Sequence, residues 1–316
     1  MAVFTEVSEQ QATELLTQLS IGELVSLQGI NSGIENTNYF LTTDQGEYVL
    51  TVFERLNHTQ LPFYLYLMKH LASRGVAVPD PQSNHQGDIL LTLLDKPAAV
   101  VNRLPGACLV EPAAVHCAAM GQTLAHMHLA AKDYDRHQIN LRGLNWWNET
   151  VPQILPFLSQ HQWQLLTHEL AFQNHLTGLS AYEAMPGGAV HADAFRNNVL
   201  FDGEALSGVF DFYFAGVDRW LFDLGVCIND WCVDLDTGVL DHLRFEAMLH
   251  AYQQVRPLSA AERSLLNPML RAAALRFWIS RLWDFHLPRE ASLLQPHDPA
   301  HFERVLVQRL YDPVTL

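Results

Sequence analysis

The chain has 316 residues, of which 49% are hydrophobic and 17% are charged, and its formal net charge is −15. This composition is typical of a folded globular protein with one large hydrophobic core or two moderate ones. The acidic balance argues against nucleic acid as a partner, because binding to its phosphates requires clustered Lys and Arg side chains.

The cysteines argue against a zinc protein or a disulfide-rich protein, and the apolar segments argue against a membrane protein. The chain has four cysteines, which lack the paired C-x-x-C spacing of zinc sites and are too few for a disulfide scaffold. The first residues, MAVFTEVSEQQATELL, contain no basic segment followed by an apolar run, and no stretch reaches the roughly 18 apolar residues of a membrane helix. We therefore expect a cytoplasmic protein without a membrane partner.

The N-terminal third of the chain predicts a small α+β domain, which we place at residues 1–101. Ser8 and Gln11 form a capping box in front of an amphipathic helix. Segments rich in Val, Tyr, Phe and Thr then predict strands at 23–30, 36–43, 47–54, 88–94 and 98–104, with a helix at 61–75. Antiparallel strands that are interrupted by one helix indicate an α+β arrangement.

The remaining residues, 102–316, predict a second and mostly helical domain. Helical patterns occur at 111–131, 219–235, 241–254, 259–286 and 300–310. One β-rich insert interrupts them at 187–216, where NVLF and LSGVFDF predict two strands joined by the turn DGEA. The predicted fold class is therefore α+β, with a β-rich N-terminal lobe and a mostly helical C-terminal lobe.

The insert gathers small side chains that carry oxygen or nitrogen. His191, Asp193 and Asn198 form the motif H-x-D-x-x-x-x-N, and Asp211 follows at the end of the second strand. Because a hairpin returns the chain, Asp211 can lie beside Asn198. An amide oxygen and a carboxylate suit Mg²⁺, and an aspartate a few residues upstream can accept a proton from an attacking hydroxyl. The insert therefore predicts a phosphotransferase site that uses ATP and Mg²⁺.

The motif is also similar to that of protein kinases, whose catalytic loop has the same interval between Asp and Asn. Here Asp211 is followed by Phe and Tyr instead of Phe and Gly, and this departure favours the branch that acts on small molecules. Asp223, at the start of a predicted helix, resembles the aspartate that braces the catalytic loop of aminoglycoside and choline kinases.

Longer segments extend the resemblance over residues 20–310. GINSGIENTNYFLTT, GGAVHADAFRNNVLF, LSGVFDFYFAG, FDLGVCINDWC and YQQVRPLS together resemble the bacterial homoserine kinases, which have the aminoglycoside-phosphotransferase fold. The resemblance implies a two-lobed, protein-kinase-like fold and transfer of the ATP γ-phosphoryl group to the side-chain hydroxyl of L-homoserine. The implied product is O-phospho-L-homoserine, which is used in threonine biosynthesis.

The resemblance also implies a role for each residue of the site. Asp193 would be the general base, His191 would support the loop structurally, and Asn198 and Asp211 would bind Mg²⁺. The flap GINSGIENTNYF and the connector VVNRL would bind the nucleotide, and their candidate residues are Gly29, Ser32, Gly33, Asn36, Val101 and Arg103.

One feature of the wider superfamily is absent from the sequence. The strand EYVLTVFE has no lysine to pair with the α- and β-phosphates, and Thr51 occupies the position that alternation with Val49 and Phe53 assigns to that lysine. The phosphate charge must then be met by Mg²⁺, by flap amides or by Arg55. We include Thr51 among the candidate nucleotide residues.

The substrate contacts are less well defined by the sequence. A homoserine carboxylate needs a cation, and Arg281, with Asp284 three residues later, is the candidate for this contact. The alternative is an ion pair on the surface of a helix, and the two interpretations have equal weight. His126 and His128 are interpreted as structural residues of the helix at 111–131.

Two other functions compete with the one that the resemblance implies. A kinase for another small alcohol, such as an amino alcohol, a thiosugar or an aminoglycoside, would carry the same motif. The missing lysine would also suit a catalytically idle nucleotide-binding protein, although the presence of a base and two metal ligands argues against it. We expect a monomer or a homodimer that binds L-homoserine and ATP.

Overall fold

The computed structural model describes residues 5–30, 36–288 and 297–316. The chain divides into two compact units, one formed by Met1–Gly106 with Ser207–Phe210 and the other by Ala107–Leu206 with Asp211–Leu316. The division lies at Gly106, whereas the sequence interpretation divides the chain after residue 101. None of the helices in the described ranges is long and apolar enough to cross a membrane.

The first unit contains a five-stranded antiparallel sheet with the strand order β1-β2-β3-β5-β4. Its strands are β1 (Leu24–Gly29), β2 (Asn36–Thr43), β3 (Gly46–Phe53), β4 (Leu91–Leu93) and β5 (Lys96–Asn102), and its helices are α1 (Glu9–Leu16) and α2 (Leu61–Ala72). These elements confirm the predicted α+β arrangement.

The core of the first unit follows from the alternation of its strands and the apolar face of α1. Along β2 every second residue is buried, as expected for a strand with one face toward a core. Leu15 and Leu16 of α1 share this core with Leu41 and Leu50 of the sheet. The predicted capping box is present, since the Gln11 amide donates to the Ser8 hydroxyl and the Ser8 amide donates to the Gln11 side chain.

The second unit is mostly helical, as predicted. Its helices are α3 (Ala114–Ala130), α4 (Leu144–Ile154), α5 (Gln160–Leu176), α6 (Ser180–Glu183), α7 (Trp220–Trp231), α8 (His242–Val255), α9 (Ala260–His286) and α10 (Ala300–Tyr311). Glycine allows two of these helices to pack closely, since a Cβ atom on Gly121 of α3 would lie 2.2 Å from the Met248 carbonyl oxygen of α8.

Short strands support the segment that carries the motif. They are β6 (Ala107–Cys108), β7 (Gly187–Val190), β8 (Val199–Asp202), β9 (Ala205–Val209) and β10 (Gly216–Arg219). β7 pairs antiparallel with β10, and β6 pairs antiparallel with β8. The two predicted strands of the insert are present as β8 and β9. β10 was not predicted, because its partner β7 lies far away in the sequence.

Candidate active site

The motif residues lie on the loop 191–198, which connects β7 to β8 and is held by helix α7. The Asp223 carboxylate of α7 accepts hydrogen bonds from the backbone amides of His191 and Ala192, both at 2.8 Å. Asp223 is completely buried, so these bonds are shielded from water. The bracing role predicted for Asp223 is confirmed.

Helix α7 also holds the later part of the loop. Asp230 accepts hydrogen bonds from the backbone amide of Arg196 at 2.8 Å and from its Nε at 3.2 Å. Trp231 donates from Nε1 to the Ala194 carbonyl oxygen at 2.9 Å. Asp223 and Asp230 are seven residues apart, two turns of helix, so one face of α7 presents both carboxylates to the loop. The loop therefore has a fixed backbone.

A chain of buried hydrogen bonds supports Asp223 in turn. A carboxylate only accepts, so Nε2 of His128 donates to Asp223 at 3.1 Å, and Nδ1 of His128 accepts from the Tyr252 hydroxyl at 2.8 Å. The Tyr252 oxygen accepts from Nε of Arg256 at 2.7 Å, and Arg256 forms a buried ion pair with Glu262. The sequence indicated only that His128 is a structural residue. Its hydrogen bond with Asp223, which holds the loop, was not predicted.

His128 stays neutral in this environment. Burial lowers its pKa, and this effect outweighs the opposing hydrogen bond and charge of Asp223. Burial raises the pKa of Asp223, but its hydrogen bonds with His128 and the loop amides outweigh burial and hold the pKa below its ordinary value. A neutral imidazole between a hydroxyl and a carboxylate has one tautomer that satisfies both partners. This tautomer fixes the donor and the acceptor of each hydrogen bond in the series from Arg256 to Asp223.

The buried His128 makes the stability of the fold depend on pH. Its pKa in the fold lies below the unfolded value of about 6.5, so the unfolded chain binds the additional proton. The free energy of unfolding is therefore expected to fall as the pH drops below about 6.5, by up to about 1.4 kcal/mol per pH unit from this residue. Denaturant unfolding at several pH values between 7 and 5 measures the slope.

Comparison of the wild type with His128→Gln isolates this contribution. Burial also lowers the pKa of His297 and of His301, so the wild-type slope contains other histidines as well. The variant should show a shallower slope over this range. Parallel curves for wild type and His128→Gln would contradict the prediction.

Asp193 and Asn198 contact each other directly within the loop. The Asn198 side chain donates to the Asp193 carbonyl oxygen at 2.8 Å and to Asp193 Oδ2 at 3.0 Å. His191 is buried, its Nδ1 accepts from the Asp193 amide at 3.2 Å, and its ring lies 4.5 Å from that of Phe212. The loop thus fixes both the backbone and the carboxylate of Asp193.

Two residues near this contact have left-handed backbone conformations. Ala192 has a φ of +63°, and Asp211 has a φ of +65°. Such values cost energy for residues other than glycine and persist where the surroundings impose them. For Ala192, the Asp223 carboxylate supplies that constraint through its 2.8 Å hydrogen bond. Asp211 precedes the short turn Phe212–Phe214 and is exposed.

Burial and the surrounding charges together set the pKa of the Asp193 carboxyl group. Burial raises the pKa of Asp193 to about 7. The positive charge of Arg276 and the hydrogen bond from Asn198 oppose this effect, while the negative charges of Asp211 and Asp230 add to it. A carboxyl group with a pKa near neutrality is suited to proton transfer.

The residues present fit a magnesium ion. Asn198 uses its amide nitrogen for Asp193, so its side-chain oxygen is the atom left for a cation. The exposed Asp211 carboxylate would supply a second oxygen ligand, and oxygen ligands are those that Mg²⁺ prefers. Within the described ranges, no group of three or more His, Cys, Asp or Glu side chains could hold a metal ion. A set of one amide and one carboxylate relies on water and substrate oxygens for its other ligands.

The candidate nucleotide residues belong to the first unit. Gly29 ends β1 and Asn36 begins β2, while Ser32 and Gly33 lie outside the described residues. The Thr51 hydroxyl donates to Asn38 Oδ1 at 2.7 Å.

The candidate residues Val101 and Arg103 lie at the C-terminal end of β5 and just after it. Val101 is in β5, opposite Val49 of β3. The Arg103 guanidinium lies 4.2 Å from the centre of the Phe40 ring and beside Glu47. The structure gives the positions of these residues, and their nucleotide contacts stay predictions.

The candidate substrate residues lie near the end of α9. Arg281 is half-buried, donates to the Asp298 carbonyl oxygen at 3.1 Å and lies over the Phe302 ring. Asp284 is half-buried one turn later, and its charge acts on Arg276. Arg276 itself, whose charge interacts with Asp193, was not predicted, because an arginine within the apolar run RAAALRFWIS gives no signal of function.

Comparisons with known proteins agree with this description. The sequence pattern of the phosphotransferase enzyme family matches residues 26–258. A homoserine kinase from Polaromonas naphthalenivorans (strain CJ2) is 58% identical over 316 residues, which cover 100% of both chains. A homoserine kinase from Janthinobacterium sp. (strain Marseille) is 56% identical over 310 residues, which cover 98% of this chain and 96% of the relative.

Solved structures show the same fold at low sequence identity. An amicoumacin kinase in complex with AMP-PNP, Ca²⁺ and Ami has a TM-score of 0.71 at 17% identity, with 98% of this chain and 95% of that chain covered. A microcompartment-associated aminopropanol kinase has a TM-score of 0.64 at 18% identity, with 96% and 94% covered.

The antiparallel sheet of the first unit and the braced loop of the second therefore define a kinase-like phosphotransferase. The sequence pattern and the full-length relatives narrow the class further. The chain belongs to the phosphotransferase enzyme family and, within it, to the homoserine kinases.

Proposed function

We propose that this enzyme transfers the γ-phosphoryl group of ATP to the side-chain hydroxyl of L-homoserine, giving O-phospho-L-homoserine and ADP. The observation that carries the proposal is identity of 54–58% to homoserine kinases over nearly the full length of the chain. The aligned region includes the loop 191–198 and the helix that holds it. The product is the one that threonine biosynthesis uses, in keeping with the pathway that the sequence resemblance implies.

The chemistry assigned to the loop is phosphoryl transfer without a covalent enzyme intermediate. The homoserine oxygen forms a bond to the γ-phosphorus as the bond between that phosphorus and the β–γ bridging oxygen breaks. The hydroxyl proton passes to the Asp193 carboxylate, and ADP leaves with the bridging oxygen. Asp193 is suited to this role because Asn198 fixes its carboxylate and α7 fixes its backbone.

The other residues of the second unit have supporting roles in this proposal. His191 supports the loop through its buried ring and through Nδ1, which accepts from the Asp193 amide. Asn198 and Asp211 would hold Mg²⁺, which neutralises charge on phosphate oxygens when it is bound. Arg281 and Asp284 stay candidates for contact with the substrate, and the variants described below test Arg281 directly.

In the same proposal, the first unit binds the nucleotide. Its candidate residues are Gly29, Ser32, Gly33, Asn36, Thr51, Val101 and Arg103, and the residues that replace the missing lysine belong to this group or to its neighbours. These assignments rest on the sequence resemblance. The cytoplasmic location and the choice between monomer and homodimer likewise stay predictions.

A substrate panel tests the proposal. ADP release by the purified protein, with ATP and Mg²⁺, would be measured with L-homoserine, L-serine, L-threonine, choline, methylthioribose and kanamycin. We expect kcat/KM for L-homoserine to exceed that for every other alcohol by at least about 100-fold, because polar groups built to bind one substrate reject analogues that leave them unpaired. Preference for another alcohol would overturn the substrate, and ATP binding without turnover would favour an idle site.

A further inference from the structure

Arg276 on α9 is a buried cation without a hydrogen-bonded partner in the described part of the chain. The residue is 4% exposed, and its Nε has no hydrogen-bond acceptor within residues 5–30, 36–288 and 297–316. The guanidinium lies 3.7 Å from the centre of the Phe277 ring and 5.2 Å from that of Phe214. Aromatic faces attract a cation, but they leave its N–H donors unsatisfied, and an unsatisfied buried charge is unfavourable. Its N–H donors are therefore available to an acceptor that the described residues do not supply.

The same aromatic contacts place Arg276 at the candidate active site. Phe277 packs at 4.3 Å against Phe195, which lies two residues after Asp193. Phe214, the other ring beneath the guanidinium, lies three residues after Asp211. The charges of Arg276 and Asp193 also act on each other, since each shifts the pKa of the other.

Charged side chains of both signs surround Arg276. Burial is the main cause that lowers its pKa to about 10. The negative charges of Asp193 and Asp284 raise this pKa, and the positive charges of Arg142 and Arg281 lower it. Arg142 and Arg281 thus bring two further cations to the place where an anionic ligand would meet Arg276.

We propose that Arg276 binds the α-carboxylate of the amino-acid substrate and thereby selects amino acids over other alcohols. This inference rests on the proposed function. A guanidinium presents paired donors that match the two oxygens of a carboxylate. In homoserine the carboxylate lies within about 5 Å of the hydroxyl oxygen, so a substrate whose hydroxyl meets Asp193 has its carboxylate near the same loop, where Phe195 packs against Phe277 beside Arg276.

Arg281, unlike Arg276, has a hydrogen-bond acceptor among the described residues. Its guanidinium donates to the Asp298 carbonyl oxygen at 3.1 Å and lies over the Phe302 ring at 4.5 Å. It is therefore partly satisfied within the chain, whereas Arg276 Nε has no acceptor among the described residues. Arg281 contributes positive charge to the site, and Arg276 makes the contact with the carboxylate.

The test compares two alcohols that differ only in the carboxylate. L-Homoserine and 3-aminopropan-1-ol carry the same hydroxyl and amine at the same spacing, so the ratio of their kcat/KM values measures recognition of the carboxylate. The ratio would be determined for the wild type, Arg276→Met, Arg281→Met and Arg263→Met. Arg263 is an exposed arginine on the same helix and serves as the matched control.

We expect Arg276→Met to lower the ratio by at least about 100-fold, mainly through a higher KM for homoserine. Arg263→Met should keep the wild-type ratio, and Arg281→Met should lower it by less than Arg276→Met does. Arg276→Lys, which keeps the charge but loses the paired donors, should lie between the wild type and Arg276→Met. Titration calorimetry with homoserine should show the same order of affinities.

Two outcomes would overturn the proposal. Equal loss of activity toward both alcohols in Arg276→Met would indicate that Arg276 acts on the transferred phosphoryl group. Collapse of the ratio in Arg281→Met alone would assign the carboxylate to Arg281. If Arg276→Met fails to fold, an unchanged ratio in Arg276→Lys would reject the proposal. Failure of the wild type to phosphorylate homoserine would instead reject the proposed function, so the two failures are distinguishable.

Discussion

Replacement of Asp193 by Asn is expected to lower kcat by about 10³-fold, since a positioned general base contributes about 10²- to 10⁴-fold. The asparagine keeps the shape of the side chain, and its oxygen can still accept the hydrogen bond that Asn198 donates at 3.0 Å. The bond from Asn198 to the carbonyl oxygen of residue 193 is unaffected by the change. The change removes the capacity to take the hydroxyl proton and the negative charge of the carboxylate. Single-turnover measurements with saturating homoserine and ATP would give the rate of the chemical step.

The matched control is Asp202→Asn, which removes an exposed carboxylate from the end of β8. That variant should keep the wild-type kcat, because no hydrogen bond or ion pair of the described residues joins the Asp202 side chain to the motif. Thermal unfolding of Asp193→Asn should occur near the wild-type temperature. A variant that retains more than about a tenth of the wild-type kcat would remove Asp193 from the role of base.

The motif was predictable from the sequence because its parts are local. Asp193 and Asn198 are five residues apart, and the strands that follow them are marked by β-branched and aromatic residues around a turn with Gly203. Helix α7 was predictable from its apolar pattern, and Asp223 at its start was recognisable by resemblance. The contacts of Asp223 with the loop amides confirm that part of the prediction.

The contacts that hold the motif residues in place were not predictable from the sequence, because they join segments that are distant along the chain. His128 reaches Asp223 across 95 residues of sequence, and a histidine on an apolar helix gives no sign of such a partner. Ala192 adopts a positive φ that alanine rarely takes, and only the surrounding hydrogen bonds explain it. Arg276 is buried although arginine usually lies at the surface.

The second large effect is expected for Asp223→Asn. The carboxylate accepts three described hydrogen bonds, from His128 Nε2 and from the amides of His191 and Ala192. An asparagine offers one oxygen and places an N–H donor against groups that are themselves donors. Loss of a buried hydrogen bond to a charged acceptor costs about 1.5–3 kcal/mol, and an unsatisfied donor adds about 1–3 kcal/mol. We therefore expect the free energy of unfolding to fall by about 3 kcal/mol or more.

Asp236→Asn provides the control for this measurement, because Asp236 is an exposed aspartate shortly after the same helix. Its free energy of unfolding should equal that of the wild type within about 0.5 kcal/mol. Denaturant unfolding of the three proteins at pH 7 would measure the differences. An Asp223→Asn variant as stable as Asp236→Asn would contradict the role of Asp223 as the buried acceptor of the loop.

Asp223→Asn should also lower kcat among the molecules that remain folded. Ala192 keeps its φ of +63° while Asp223 accepts its amide hydrogen, and relaxation of that backbone would displace the adjoining Asp193 carboxylate. Displacement of a reacting group by about 1 Å can cost about 10²-fold in rate. We therefore expect kcat per folded molecule to fall by about 100-fold, as measured at a temperature where the variant is fully folded. If kcat instead follows the folded fraction alone, Asp223 stabilises the fold without positioning the base.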